Sequence, residues 1–95
     1  MASPRNIYKT KDDKYVSLSA SMQTMWEKLA KVIQREDLIA NDLFLDNEKR
    51  VKNQNILDPI IEEFMLKYNQ KELLEIFKQN GVTVGPVLDL SLIHI

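Results

Sequence analysis

The apolar pattern changes period twice along this chain, and that change limits the fold more than any other feature. Short strand-like runs stand near both ends, whereas much of residues 21–79 repeats at helical spacing. With 95 residues there is room for one small domain. The order reads β-β-α-(α)-α-α-β. Strands flanking a helical middle predict an α+β unit: an N-terminal β-hairpin, three to four helices, and a C-terminal strand joining the hairpin.

The local signals give the elements their expected limits. Residues 5–10 are rich in strand formers, and residues 14–19 alternate, with Val16 and Leu18 on one face. Between them Lys11-Asp12-Asp13 suits a turn, although glycine at 13 would suit it better, because positive φ costs aspartate more. Ser19 or Ser21 offers an N-cap oxygen to a first helix, whose stripe is Met22, Met25, Trp26, Leu29 and Ile33. Residues 35–39 read as a short turn, and 41–47 as a loop held down by Leu43, Phe44 and Leu45. The longest helical pattern covers 47–67, with Asn47 as N-cap and Glu48 in the first turn. Its expected face is Val51, Leu57, Ile60, Ile61, Phe64 and Tyr68, with a kink or restart at Pro59. Asn69 should cap a last helix carrying Leu73, Leu74, Ile76 and Phe77, and Asn80-Gly81 should stop it. Residues 82–88 then read as a strand, placed at a sheet edge by Pro86, which has no N–H to donate.

Charge and composition narrow the function classes. Thirteen basic residues stand against 14 acidic ones, for a net charge of −1. That balance argues against nucleic-acid partners, which select a basic excess or stripe, and gives no attraction to an anionic membrane. No apolar run approaches the ~20 residues that span a bilayer. The chain has no cysteine, hence no disulfide and no thiolate metal site, which fits a reducing cytoplasm.

Residues 90–95, Leu90-Ser91-Leu92-Ile93-His94-Ile95, are what the codons CTG TCT CTT ATA CAC ATC would encode. That string matches a transposase adapter used in sequencing libraries. The expected protein sequence therefore ends at Asp89, with the natural gene running on past it, and His94 carries no functional information.

Four segments in register resemble one family. Pro4-Arg5-Asn6-Ile7-Tyr8-Lys9-Thr10-Lys11-Asp12-Asp13-Lys14-Tyr15-Val16 is similar to the "PRN-x-Y-x-T-x-D-G-x-(Y/W)-V" opening of the small domain of family III (CaiB/BaiF-type) CoA-transferases. Asp37-Leu38 and Asp42-Leu43-Phe44 resemble its "(R/E)-x-D-L … D-x-R-F" stretch. Arg50-Val51-Lys52-Asn53 resembles "R-V-x-N", and Asn80-Gly81-Val82-Thr83-Val84-Gly85-Pro86-Val87 resembles "(A/N)-G-V-P-x-(G/A)-P-V". The sequence departs from the pattern at Asp13, where glycine is usual, and at Leu43, Leu45 and Thr83. The resemblance implies that residues 1–89 are part of that small domain. It further implies an enzyme moving coenzyme A between acyl-CoA thioesters and carboxylic acids, with no covalently bound cofactor, assembled as an interlocked homodimer. In this family an aspartate of the large domain forms mixed anhydrides with the acyl group, a sensible covalent step toward a thioester. That residue is expected upstream of the segment present here. No residue of this chain takes a catalytic, cofactor-binding or metal-binding role from the resemblance. A related branch, the acyl-CoA racemases, stands as an alternative, since its His/Asp pair also belongs to the large domain. Without the resemblance, the residues would equally permit a non-catalytic helical interaction module.

Several local groupings have a functional and a plain reading. Asp12-Asp13 reads as a hairpin turn, since adjacent strand residues face opposite ways, and Glu62-Glu63 as a solvated helix face. Lys9, Lys11 and Lys14 could meet the phosphates of coenzyme A, but lysines are common on exposed hairpins. Met22, Met25 and Trp26 could line a partner groove; a core stripe, or a face docked on a larger domain, explains them more simply. Gly85-Pro86 could stand beside a substrate, because glycine lets a ligand or another backbone come close; a strand terminator would look the same.

Overall fold

The structure, a computed structural model, describes residues 2–87. Strands β1 (Arg5–Lys9) and β2 (Tyr15–Ser19) form the hairpin, and β3 (Val84–Val87) pairs antiparallel with β2. The sheet order is β1-β2-β3, so Pro86 lies on an edge strand, where a missing donor leaves no ladder bond unmade. Between β2 and β3 come α1 (Gln23–Val32), 3-10 turns at Glu36–Leu38 and Asp42–Phe44, α2 (Asn47–Lys52), α3 (Gln54–Met65) and α4 (Gln70–Gln79). The expected α+β architecture, with the last strand joining the hairpin, is what forms. The expectations for Leu88, Asp89 and the adapter-like tail lie outside the described residues.

One face of the sheet is packed. Tyr8, Val16 and Leu18 point inward, against Trp26, Leu29 and Ile33 from the first helical segment, Leu57, Ile61 and Met65 of α3, and Leu73 and Phe77 of α4. Leu38 and Phe44 close one end, each from a 3-10 turn. The spacing of four within α3 and α4 is the signature of one buried helical stripe. Met65 had no place in the expected face of that helix, and Ile60, Phe64 and Tyr68 sit only partly buried beside it.

Several boundaries differ from expectation, each for a local reason. Met22, not Ser19 or Ser21, is the N-cap of α1, and no side chain caps that end. Its extended backbone takes Met22 off the helical stripe, and the side chain is 70% exposed. Leu43 and Leu45 are exposed, and only Phe44 is tucked down. The helical pattern of 47–67 is broken at Asn53, not at Pro59. Asn53 leaves helical geometry (φ −109, ψ 20), and its side-chain amide donates to the carbonyls of Leu43 and Lys49, both at 3.0 Å. Pro59 stays inside α3 because it and Asn55 are exposed, so the carbonyl it leaves unpaired faces solvent. Asp46 rather than Asn47 caps α2, accepting from the Lys49 amide at 2.8 Å, while the Asn47 side chain accepts from the Ser3 amide at 2.9 Å.

Helices α1 and α4 end in the same way. The amides of Arg35 and Gln34 reach the carbonyls of Ala30 and Lys31, and the amides of Val82 and Gly81 reach those of Phe77 and Lys78. Both are Schellman closures with the penultimate residue left-handed: Gly81 at φ 70, and Gln34 at φ 61. A side chain in that region costs about 1 kcal/mol. Gln34→Gly is therefore expected to raise stability by about 1 kcal/mol, read as a higher urea midpoint; an unchanged or lower midpoint would refute it.

Candidate functional site

The sheet's other face is open among the described residues. Ile7, Ser17 and Gly85 are paired across the three strands, and Arg5 is paired with Ser19 one step along. Strand alternation places all five on the side opposite Tyr8, Val16 and Leu18. Together with Thr83 they line a trough of about 550 Å³. Its floor is Ile7 and the Gly85 backbone, and its polar groups are the Ser17 and Ser19 hydroxyls and the Arg5 guanidinium. Ser17 Oγ sits 3.5 Å from the Gly85 carbonyl, a long contact that leaves the hydroxyl free to turn. Arg5 has no carboxylate partner among the described residues. Of the groupings noted in the sequence, Gly85 is the one that falls in this trough; its neighbour Pro86 faces the other way.

The other groupings have structural duties. Lys9 pairs with Asp13 at 3.1 Å, and Lys14 stands 3.9 Å from Asp12. Two of the three hairpin lysines thus spend their charge on the turn. Asp13 takes the left-handed backbone that the turn requires (φ 60). Glu62 and Glu63 are exposed on α3. Trp26 is fully buried, Met25 is half-buried against the core and Met22 is exposed, so the three do not form one groove.

Asp12 does more than turn the chain. Its carboxylate accepts from the Thr10 hydroxyl and, at 3.1 Å, from the backbone N–H of Gln70 at the start of α4. The Lys11 amide donates to the Tyr68 carbonyl and the Gln70 side chain donates to the Tyr15 carbonyl, which seats the hairpin tip on that helix end. The Thr10 hydroxyl above all, with the Gln70 amide, holds the Asp12 carboxyl below the usual carboxylate range. A lowered folded-state value means that the stabilisation is complete above the unfolded value of about 3.9 and is lost as pH falls through the folded one. Wild-type stability should therefore drop more steeply below about pH 4 than that of Asp12→Asn; parallel midpoints for the two from pH 6 to 2.5 would refute this.

The feature that sequence reading passed over is Arg50. It is 1% exposed. Its guanidinium donates to the carbonyls of Ser3 (2.9 Å), Ser21 (2.9 Å) and Phe44 (3.1 Å) and to Gln23 Oε1 (3.2 Å). It also lies over the Trp26 ring, 5.2 Å from the centroid. These bonds tie the N-terminal segment, the start of α1 and the Asp42–Phe44 turn to α2. Burial lowers its pKa from the ordinary arginine value, with Asp46 acting the other way; arginine stays charged regardless. The one signal in the sequence was its place in the Arg50-Val51-Lys52-Asn53 motif, which carries no mark of burial.

Comparison with known proteins gives a consistent picture. Residues 1–94 match the profile of the family described as CoA-transferase family III. The alpha subunit of a succinyl-CoA–L-malate CoA-transferase from Chloroflexus aurantiacus is 28% identical over 91 residues, covering 96% of this chain and 21% of that protein. An acetyl-CoA:oxalate CoA-transferase from Acetobacter aceti is 25% identical over 88 residues, 93% of this chain and 22% of its own length. The crystal structure of a CaiB/BaiF family protein from Brucella suis superposes with a TM-score of 0.86 at 22% identity, over 95% of this chain and 24% of that one. At that identity the structural match speaks for the fold alone. The chain thus spans between a fifth and a quarter of the length of the proteins it matches.

Proposed function

This chain belongs to CoA-transferase family III, and we propose that it is a scaffold part of an enzyme that moves coenzyme A from an acyl-CoA thioester to a free carboxylic acid. The observation that carries the reading is the profile match along residues 1–94, in a chain that covers about a fifth of each curated transferase. The chemistry needs a carboxylate nucleophile. Its oxygen attacks the thioester carbonyl, the C–S bond breaks, and CoA leaves as a thiolate, giving a mixed anhydride. The thiolate then attacks the enzyme's own acyl carbon, freeing the donor acid and leaving an enzyme–CoA thioester. The acceptor carboxylate repeats the sequence in reverse. We assign that nucleophile to a part of the parent outside residues 1–89.

The acceptor is proposed to be a short dicarboxylic acid, the class of malate and oxalate in the names of the relatives. An interlocked homodimer in the cytoplasm is the expected state of the parent. No helix among the described residues is long and apolar enough to cross a membrane. Residues 1–89 are taken as part of the small domain and 90–95 as adapter-derived, which resequencing from an independent template tests.

The reading is tested on the parent protein recovered from the complete gene. Incubated with acyl-CoA and quenched with hydroxylamine, it should carry one hydroxamate, which peptide mass mapping should place outside residues 1–89. A modified carboxylate inside them would refute the assignment.

A further inference from the structure

Glycine at position 85 has no structural reason to be glycine. Its φ lies outside the positive range that side chains avoid, and a Cβ built there would meet only Ser17 Oγ, at 3.5 Å, an ordinary contact. Glycine weakens a strand and leaves a gap in its surface, so an unforced glycine in a strand marks a place where something else comes close. Beside it lie the Ser17 and Ser19 hydroxyls, with the Arg5 guanidinium at the end of the trough. Arg5 is free of any carboxylate among the described residues. A guanidinium is suited to a carboxylate, which it can hold through two parallel hydrogen bonds.

We propose that this trough holds the non-reacting carboxylate of a short dicarboxylic acid substrate. Arg5 pairs with the carboxylate, Ser17 and Ser19 bond its remaining oxygen lone pairs, and the bare Gly85 backbone makes room for the carbon chain over Ile7. The proposal rests on the transferase reading for the substrate class, while the site itself rests on geometry. Charge complementarity selects an acid over a neutral ligand. A second polypeptide laid across the same face is the competing occupant.

The test is a nitrogen-15 NMR titration of the 95-residue chain with L-malate at constant ionic strength, with acetate for the carboxylate alone and the uncharged diamide of malate as the control. Malate should shift the amides of Arg5, Ser17, Ser19 and Gly85 saturably, acetate should reach the same amides through its single carboxylate, and the uncharged diamide of malate should bind at least about tenfold more weakly than malate. Arg5→Gln should weaken malate about tenfold. Gly85→Val should remove binding by filling the trough, whereas Gly85→Ala, whose Cβ the fold accepts, serves as the folding control and should melt no lower than wild type. Shifts that do not saturate, or that survive Arg5→Gln, would overturn the proposal. Shifts of the same amides with protein concentration alone would give the trough to a polypeptide and overturn it as well. If the parent transfers CoA while this chain ignores malate, the subsite fails and the transferase reading stands. If the chain binds malate and the parent transfers nothing, the reverse holds.

Discussion

Replacing Arg50 by alanine is expected to destabilise the domain by about 4 kcal/mol, close to the whole stability of a chain this size. The guanidinium satisfies three backbone carbonyls and one side-chain oxygen. A truncated side chain leaves the Ser3 and Phe44 carbonyls buried and unpaired, at about 1–3 kcal/mol each before any relaxation, while the Ser21 and Gln23 oxygens are only partly shielded from water. The Ser3 amide also donates to the Asn47 side chain, and the Asn53 side chain to the Leu43 carbonyl, so these two segments keep a further tie, whereas the N-cap of α1 lacks a side-chain bond. The urea midpoint should fall by about 2 M, or the variant should be unfolded without denaturant. Arg50→Lys should retain part of the loss, since one ammonium cannot reproduce a planar fork reaching four acceptors. A midpoint within about 0.3 M of wild type for Arg50→Ala would remove Arg50 as the tie between these segments.

Trp26→Ala should cost about as much, 3–5 kcal/mol on the scale of buried aromatic deletions. The ring is fully buried, packs edge-on to Phe44 with centroids 6.3 Å apart, and carries Arg50 on its face. Because both side chains belong to one cluster, the double variant should be less destabilised than the sum of the singles. Trp26→Phe should be much milder. The indole Nε1 is buried with no hydrogen-bond partner among the described residues, so its removal relieves a cost while the smaller ring opens a gap. Additivity of Arg50→Ala and Trp26→Ala, measured by denaturant melts, would contradict the shared cluster.

These two residues also show where sequence reasoning stopped. The α+β order, the hairpin, the Gly81 stop and the edge position of Pro86 were legible, because period and turn chemistry act locally. Trp26, Leu29 and Ile33 were legible as core for the same reason. Arg50 was not, since its partners Ser3, Ser21, Gln23 and Phe44 are mostly distant in sequence and three of the four offer only a backbone carbonyl, which no composition rule marks. Gln34 hid a helix stop because the left-handed residue is not glycine. Pro59 drew attention from Asn53, whose side-chain amide turns the chain without any breaker residue. At the candidate site, Gly85 was legible as unusual, whereas its alignment with Ser17 and Arg5 required the strand register.

The central claim is that this chain supplies scaffold and that the thioester is attacked by a group held elsewhere in the parent. Its most direct test is a transfer assay on the purified 95-residue chain, following exchange of labelled CoA between an acyl-CoA and a free dicarboxylic acid, beside the recovered parent. The expected result is turnover by the parent and none above the protein-free rate for the chain. Turnover by the chain alone, abolished by a substitution within it, would contradict the claim.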